Sequence, residues 1–73
     1  MALGLTRREV EVLNLVKLGH TDKEIASDLG LSVESVKTHL QLIFAKLQAR
    51  NRVDAVIKAL RAGYLQLNSE DSA

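Results

Sequence analysis

The run TDKEIASDLGLSVESVKTHLQLIFAK, Thr21 to Lys46, decides the fold of this 73-residue chain. Thr21-Asp22-Lys23-Glu24 is a capping box: the Thr21 hydroxyl can accept the Glu24 backbone N–H, and the Glu24 carboxylate can accept the Thr21 N–H in return. The helix so opened carries Ile25, Ala26 and Leu29 as its inward side. It stops at Gly30, which can take the positive φ that turns a chain out of a helix. Ser32 then caps a longer helix, with Glu34 in its first turn complementing the helix dipole. Only Gly30-Leu31-Ser32 separates the two helices, so they must pack steeply across a tight corner. That is a helix-turn-helix pattern.

The longer helix, about 33–47, has two distinct sides when projected at about 100° per residue. Val33, Val36, Leu40, Ile43, Phe44 and Leu47 fall within an arc of about 100°, a core face. Glu34, Thr38, Gln41 and Ala45 lie opposite, flanked by Lys37 and Leu42. In a helix-turn-helix the second helix is the one that enters a DNA major groove, and such a face can hydrogen-bond there without apolar bulk. The same face also fits an ordinary solvated helix surface.

Outward from this stretch the pattern repeats. Leu5-Thr6-Arg7-Arg8-Glu9-Val10 is another capping box, with Leu5 placed to staple against Val10. It predicts a helix over about 7–18, with Val10, Val12, Leu13, Leu15 and Val16 on the apolar side and Gly19 ending it. Beyond Leu47, residues 48–50 connect to a fourth helix over about 52–62, N-capped by Asn51 with Asp54 three residues on. Ala55, Val56, Ala59, Ala62 and Gly63 form one face of it, and Val53, Ile57, Leu60 and Tyr64 an adjoining one. Together they span roughly 220°, wider than the stripe of about 100° that a single core contact needs. The surplus predicts a partner helix against Val53, Ile57 and Leu60; the alternative is a helix buried more deeply than usual. Residues 1–67 then make one domain, and 68–73, NSEDSA, a polar disordered tail.

Composition agrees with an all-α four-helix bundle. Hydrophobic residues make up 47% of the chain and aromatics only 3%, so Leu, Val, Ile and Ala must fill the core. There is no Pro and no strand-like alternation. The absence of Cys removes disulfides and thiolate metal sites, and no apolar run approaches the roughly 20 residues of a membrane helix. With no signal pattern at the N-terminus, a soluble cytoplasmic domain is expected.

The net charge of +1 conceals an asymmetry. Residues 1–36 carry four basic and six acidic groups, a net −2. Residues 37–63 carry Lys37, Lys46, Arg50, Arg52, Lys58 and Arg61 against Asp54 alone, a net +5. A basic half of this kind is the footprint of a phosphate-binding face. Enzymatic constellations are missing: His20 and His39 are isolated, no acid pair shares a face at catalytic spacing, and there is no Gly-rich phosphate loop. His20, Asp22 and Glu24 flank a helix cap and read as cap and surface residues rather than a metal set.

Nearly the whole chain, from 5 to about 65, resembles a known family. LTRREVEVL, KEIA, LSVESVKTH, KL and NRVDAV, in that order and at these spacings, look like the LuxR/FixJ/GerE type of DNA-binding domain. The resemblance implies a non-enzymatic bacterial transcriptional regulator with no cofactor, metal or small-molecule ligand in this domain. Its partner would be double-stranded DNA, with a homodimer formed through the fourth helix and RNA polymerase left open as a further partner. Carried over by position, Lys37, Thr38 and Gln41 are the base-facing residues. Thr21, Lys23, Ser32, Ser35, His39 and Lys46 are phosphate-contacting or contact-supporting positions.

The chemistry of these side chains supports the assignment. Lys37 can donate to guanine O6/N7 or a phosphate, Gln41 can pair bidentately with adenine, and the Thr38 methyl can meet a thymine methyl. No Arg lies on this helix face, so modest monomer affinity and a dimer reading two half-sites are expected. Two departures from the family pattern stand out. Gln48 occupies a position after Lys46-Leu47 where the family often has Gly, and a positive φ there would cost on the order of 1 kcal/mol. Family members also usually carry an N-terminal receiver or ligand-binding domain. The chain would then be either an output domain or, like short GerE-type members, a complete regulator. The rival class is a helical protein-interaction module that does not bind DNA; a sigma-factor-like helix-turn-helix is a nearby DNA-binding variant.

Overall fold

A computed structural model describes residues 4–67. It contains α1 (Arg7–Lys17), α2 (Asp22–Leu29), α3 (Val33–Leu47) and α4 (Arg52–Arg61). The expected starts hold at all four, and the expected ends at Leu18 and Ala62 prove to be cap residues just outside α1 and α4. The proposed tail, 68–73, lies outside the described residues.

Local chemistry accounts for these boundaries. Thr6 and Thr21 both form full capping boxes, each hydroxyl accepting an N–H at 3.1 Å and each backbone N–H donating to a glutamate Oε1 at 2.8 Å. Ser32 caps α3 through the Ser35 N–H, and Asn51 caps α4 through the Asp54 N–H. At the other ends the chain leaves each helix through a left-handed residue: Gly19, Gly30, Gln48 and Gly63. At α3 the Ala49 N–H reaches back to the Phe44 carbonyl at 2.8 Å and the Gln48 N–H to Ala45 at 3.3 Å, a Schellman closure. Gln48 makes this turn with φ 53°, so the backbone there does adopt the conformation for which the family's glycine is suited.

The core gathers one side of each helix: Val12 and Leu13 from α1, Ile25 and Ala26 from α2, Val36, Leu40 and Ile43 from α3, and Ala55 and Ala59 from α4. The α3 face drawn from the sequence is therefore the buried one, with Val33, Phe44 and Leu47 packed at its margin. Leu65 joins the core after α4 because the Gly63 turn folds the chain back, its N–H reaching the Ala59 carbonyl. That contribution was not evident from the helix projections.

A charged strut crosses this packing. Glu9, only 3% exposed, projects from the 9/12/13/16 side of α1 and receives Lys46 Nζ from the end of α3, at 2.8 Å to Oε1 and 3.1 Å to Oε2. Oε1 also accepts the Thr6 cap N–H. Burial pushes the Glu9 carboxyl up, but the hydrogen bonds from Lys46 and Thr6 and the ammonium charge outweigh it and leave the group below its ordinary 4.5.

Candidate nucleic-acid interface

α3 is held from behind by α1, α2 and α4, which leaves its opposite side open. Lys37, Thr38 and Gln41 all lie exposed on that side, so the three base-facing candidates form one surface. Thr38 donates its hydroxyl proton to the Glu34 carbonyl at 3.1 Å, leaving its methyl and oxygen lone pairs for an outside partner. Lys37 has no ion pair among the described residues.

Beside this surface a groove of about 410 Å³ runs between α3 and the start of α4. Lys37, Gln41 and Phe44 line one side, and Arg50, Asn51 and Arg52 the other. These last three were not among the expected contact residues. The signal for them was the basic RNR run immediately after α3, which the fourth-helix reading absorbed into a cap and a connection.

The expected backbone-contacting residues divide by what the fold already asks of them. Thr21, Lys23 and Ser32 are exposed at the ends of α2 and α3. The Thr21 hydroxyl is only an acceptor in its capping box, so its own proton remains available. Ser32 donates to Ser35 Oγ at 3.1 Å, which likewise leaves the Ser35 O–H available. His39 Nδ1 donates to the Ser35 carbonyl at 2.7 Å, since a carbonyl can only accept. In the neutral ring Nε2 is then an acceptor, and donating to a phosphate from Nε2 requires the imidazolium. Lys46, whose side chain is 22% exposed, directs its ammonium at Glu9.

Two more cations of the basic half are similarly engaged. Arg52 pairs with Asp22 and thereby ties α4 to the first turn of α2. Lys58 lies 3.3 Å from Asp54 and donates to the Gln48 carbonyl at 2.6 Å. Asp54 accepts the Arg50 backbone N–H, which, with Lys58, holds its carboxyl below the usual value. The net +5 read from residues 37–63 is thus partly neutralised within the fold, by Glu9 at Lys46 and by Asp22 at Arg52.

Residues 3–59 match the family described as bacterial regulatory proteins, luxR family. The chain belongs to the LuxR family. This settles its LuxR-type helix-turn-helix as a DNA-binding domain of a family that is not enzymatic, as the motif series implied. The response regulator protein VraR of Staphylococcus aureus is 40% identical over 62 residues, and the same identity is found with VraR of Staphylococcus epidermidis. The match covers 85% of this chain and 30% of VraR, so the chain spans under a third of these relatives. Among solved structures, the transcription factor GerE superposes with a TM-score of 0.83 at 33% identity, covering 88% of this chain and 96% of that one. ChrA, a response regulator of a heme-sensing two-component system, superposes equally well but is covered only to 31%.

α4 presents a second surface. Ala55 and Ala59 are fully buried, and Leu60 and Tyr64 pack against the core margin. Val53 and Ile57, however, are 69% and 41% exposed and line an open groove of about 340 Å³ with Val16, Gly19, His20 and Val56. The two-faced helix expected from the sequence is therefore divided, with Leu60 turned toward the core and Val53 and Ile57 toward solvent. No helix among the described residues is long and apolar enough to cross a membrane.

Proposed function

We propose that this domain binds double-stranded DNA sequence-specifically, with α3 in the major groove, as the output module of a bacterial transcriptional regulator acting in the cytoplasm. The observation that carries the reading is the single exposed α3 surface of Lys37, Thr38 and Gln41, opposite a fully packed core face. Gln41 supplies a bidentate amide for adenine, Lys37 a donor for guanine, and Thr38 a methyl for thymine. Thr21, Lys23, Ser32 and Ser35 add sequence-independent contacts at the two helix starts. His39 joins them only as an imidazolium, and Lys46 only through the ammonium hydrogen that Glu9 leaves over. Two copies joined through the Val53/Ile57 side of α4, with Leu60 at its edge, would present two α3 helices to successive half-sites. Similarity to response regulators and to GerE suits both an output domain of a longer protein and a short regulator.

The test is selection of bound sites from a random duplex pool, followed by titration of the recovered site and of random duplex at two salt concentrations. Binding must weaken steeply with salt, through counterion release. Lys37→Ala and Gln41→Ala should weaken the selected site by about 5- to 100-fold, the equivalent of one lost base contact, and random duplex much less. Salt-insensitive or absent binding would overturn the DNA reading in favour of a protein-interaction module. Equal losses on both duplexes would move Lys37 and Gln41 to the phosphate backbone.

A further inference from the structure

We propose that Arg50, at the corner between α3 and α4, is the principal backbone grip beside the surface read by Lys37 and Gln41, and that Lys46 is not. The inference rests on the DNA-binding reading and concerns which cation completes it. Four basic residues follow Lys37 near this end of the molecule, and the fold engages three of them. Lys46 donates twice to the buried Glu9 carboxylate, Arg52 pairs with Asp22, and Lys58 is shared between Asp54 and the Gln48 carbonyl.

Arg50 is different. Its side chain is 86% exposed, and its nearest acidic partner, Asp54, is 3.9 Å from Nε. Its main chain is nevertheless pinned, the backbone N–H donating to Asp54 Oδ2 at 2.9 Å. A fixed backbone carrying an exposed guanidinium, held only by this long contact to Asp54, is suited to a phosphate, which it can meet with two parallel N–H bonds. The groove that Arg50 lines also has Lys37 and Gln41 on its wall, so a duplex seated against those two brings a strand past the corner. Lys37 on one wall and Arg50 on the other make the groove complementary to a polyanion, while the Asp22 charge at its floor is already met by Arg52.

The experiment is fluorescence anisotropy of a labelled random-sequence duplex of about 30 base pairs, titrated from about 50 to 200 mM salt, since a phosphate contact requires no operator. Arg50→Ala should lower the magnitude of the log–log salt slope by about 0.9 and weaken binding about fivefold near 0.15 M salt. Arg50→Lys should keep most of the slope. Arg61→Ala, an exposed arginine at the far end of α4 that lines neither groove, is the control and should change little. Circular dichroism melts verify that each variant is folded, and Arg50→Gln serves in place of alanine if the alanine variant is not. An unchanged slope in a folded Arg50→Ala protein, with the parent still binding in a salt-dependent way, overturns the assignment of Arg50 alone. Absence of salt-dependent binding in the parent overturns the DNA reading, and this inference with it.

Discussion

Replacing Gln48 by glycine should stabilise the domain. Among the described residues Gln48 is the one residue other than glycine with positive φ, at 53° with ψ 43°. For an L-residue that region costs roughly 1–2 kcal/mol, because Cβ crowds the following carbonyl. Glycine removes the clash but restores about 0.5–1 kcal/mol of unfolded-state entropy, leaving a net gain of about 0.5–1 kcal/mol. Among the described residues the Gln48 side chain makes no hydrogen bond or ion pair that the substitution would remove. The bonds that organise this turn, from Gln48 N–H to Ala45, Ala49 N–H to Phe44 and Lys58 Nζ to the Gln48 carbonyl, all use main-chain atoms of residue 48 or its neighbour and survive the substitution. In a domain of this size the gain corresponds to a Tm rise of about 2–8 °C by circular dichroism, with a parallel shift in the urea midpoint. Gly30→Ala is the mirror experiment. Gly30 has φ 67°, and an added Cβ meets nothing within 4 Å, so its cost is conformational alone and should be about 1 kcal/mol. If Gly30→Ala loses stability as expected and Gln48→Gly gains none, the strain argument at Gln48 is wrong.

Three further outcomes follow from the geometry. Lys46→Ala leaves the Glu9 carboxylate buried and unpaired, and because water reaches part of the lysine the loss should be about 2–3 kcal/mol in urea unfolding, below the range for a fully buried pair. A variant of unchanged stability would show that the strut contributes nothing. Acid should unfold the domain through its lowered carboxyls: Glu9, Glu24 (chiefly through the Thr21 backbone N–H) and Asp54 all titrate below their ordinary values in the fold. Their contribution is full above about pH 4.5 and is lost as pH falls through the lower folded-state values, so a Tm that stays flat to pH 3 refutes the linkage. Ile57→Asp should abolish cooperative occupancy of paired half-sites while leaving single-site binding and the melt nearly unchanged; loss of the cooperative melt instead would assign Ile57 to the core.

The sequence was most legible where local chemistry acts alone. Capping boxes at Thr6 and Thr21, the Ser32 and Asn51 caps and the glycine stops depend on residues within a few positions of one another, and they placed all four helices. The core face of α3 was equally plain, because its apolar residues recur at helical spacing along fifteen residues. What could not be seen was pairing at long sequence separation. Glu9 and Lys46 are 37 residues apart, and each already had another explanation, one as a cap and the other as a phosphate-contacting position. The same holds for Asp22 with Arg52. The charge excess of residues 37–63 could be counted from the sequence, but which cations remain free depends on that pairing, and so the Arg50 corner was overlooked. Leu65 was missed because nothing in a helix projection tells how a chain folds back after its last helix.

Glu9 Oε1 holds the first turn of α1 through Thr6 and the last turn of α3 through Lys46, both at 2.8 Å. One oxygen atom thus joins two helix ends that frayed termini would otherwise release separately. Amide hydrogen exchange at the start of α1 and at the end of α3 should therefore proceed through a common opening event, with matched free energies and a matched response to denaturant. The far end of α3 would then be as durable as the first turn of α1, and no more.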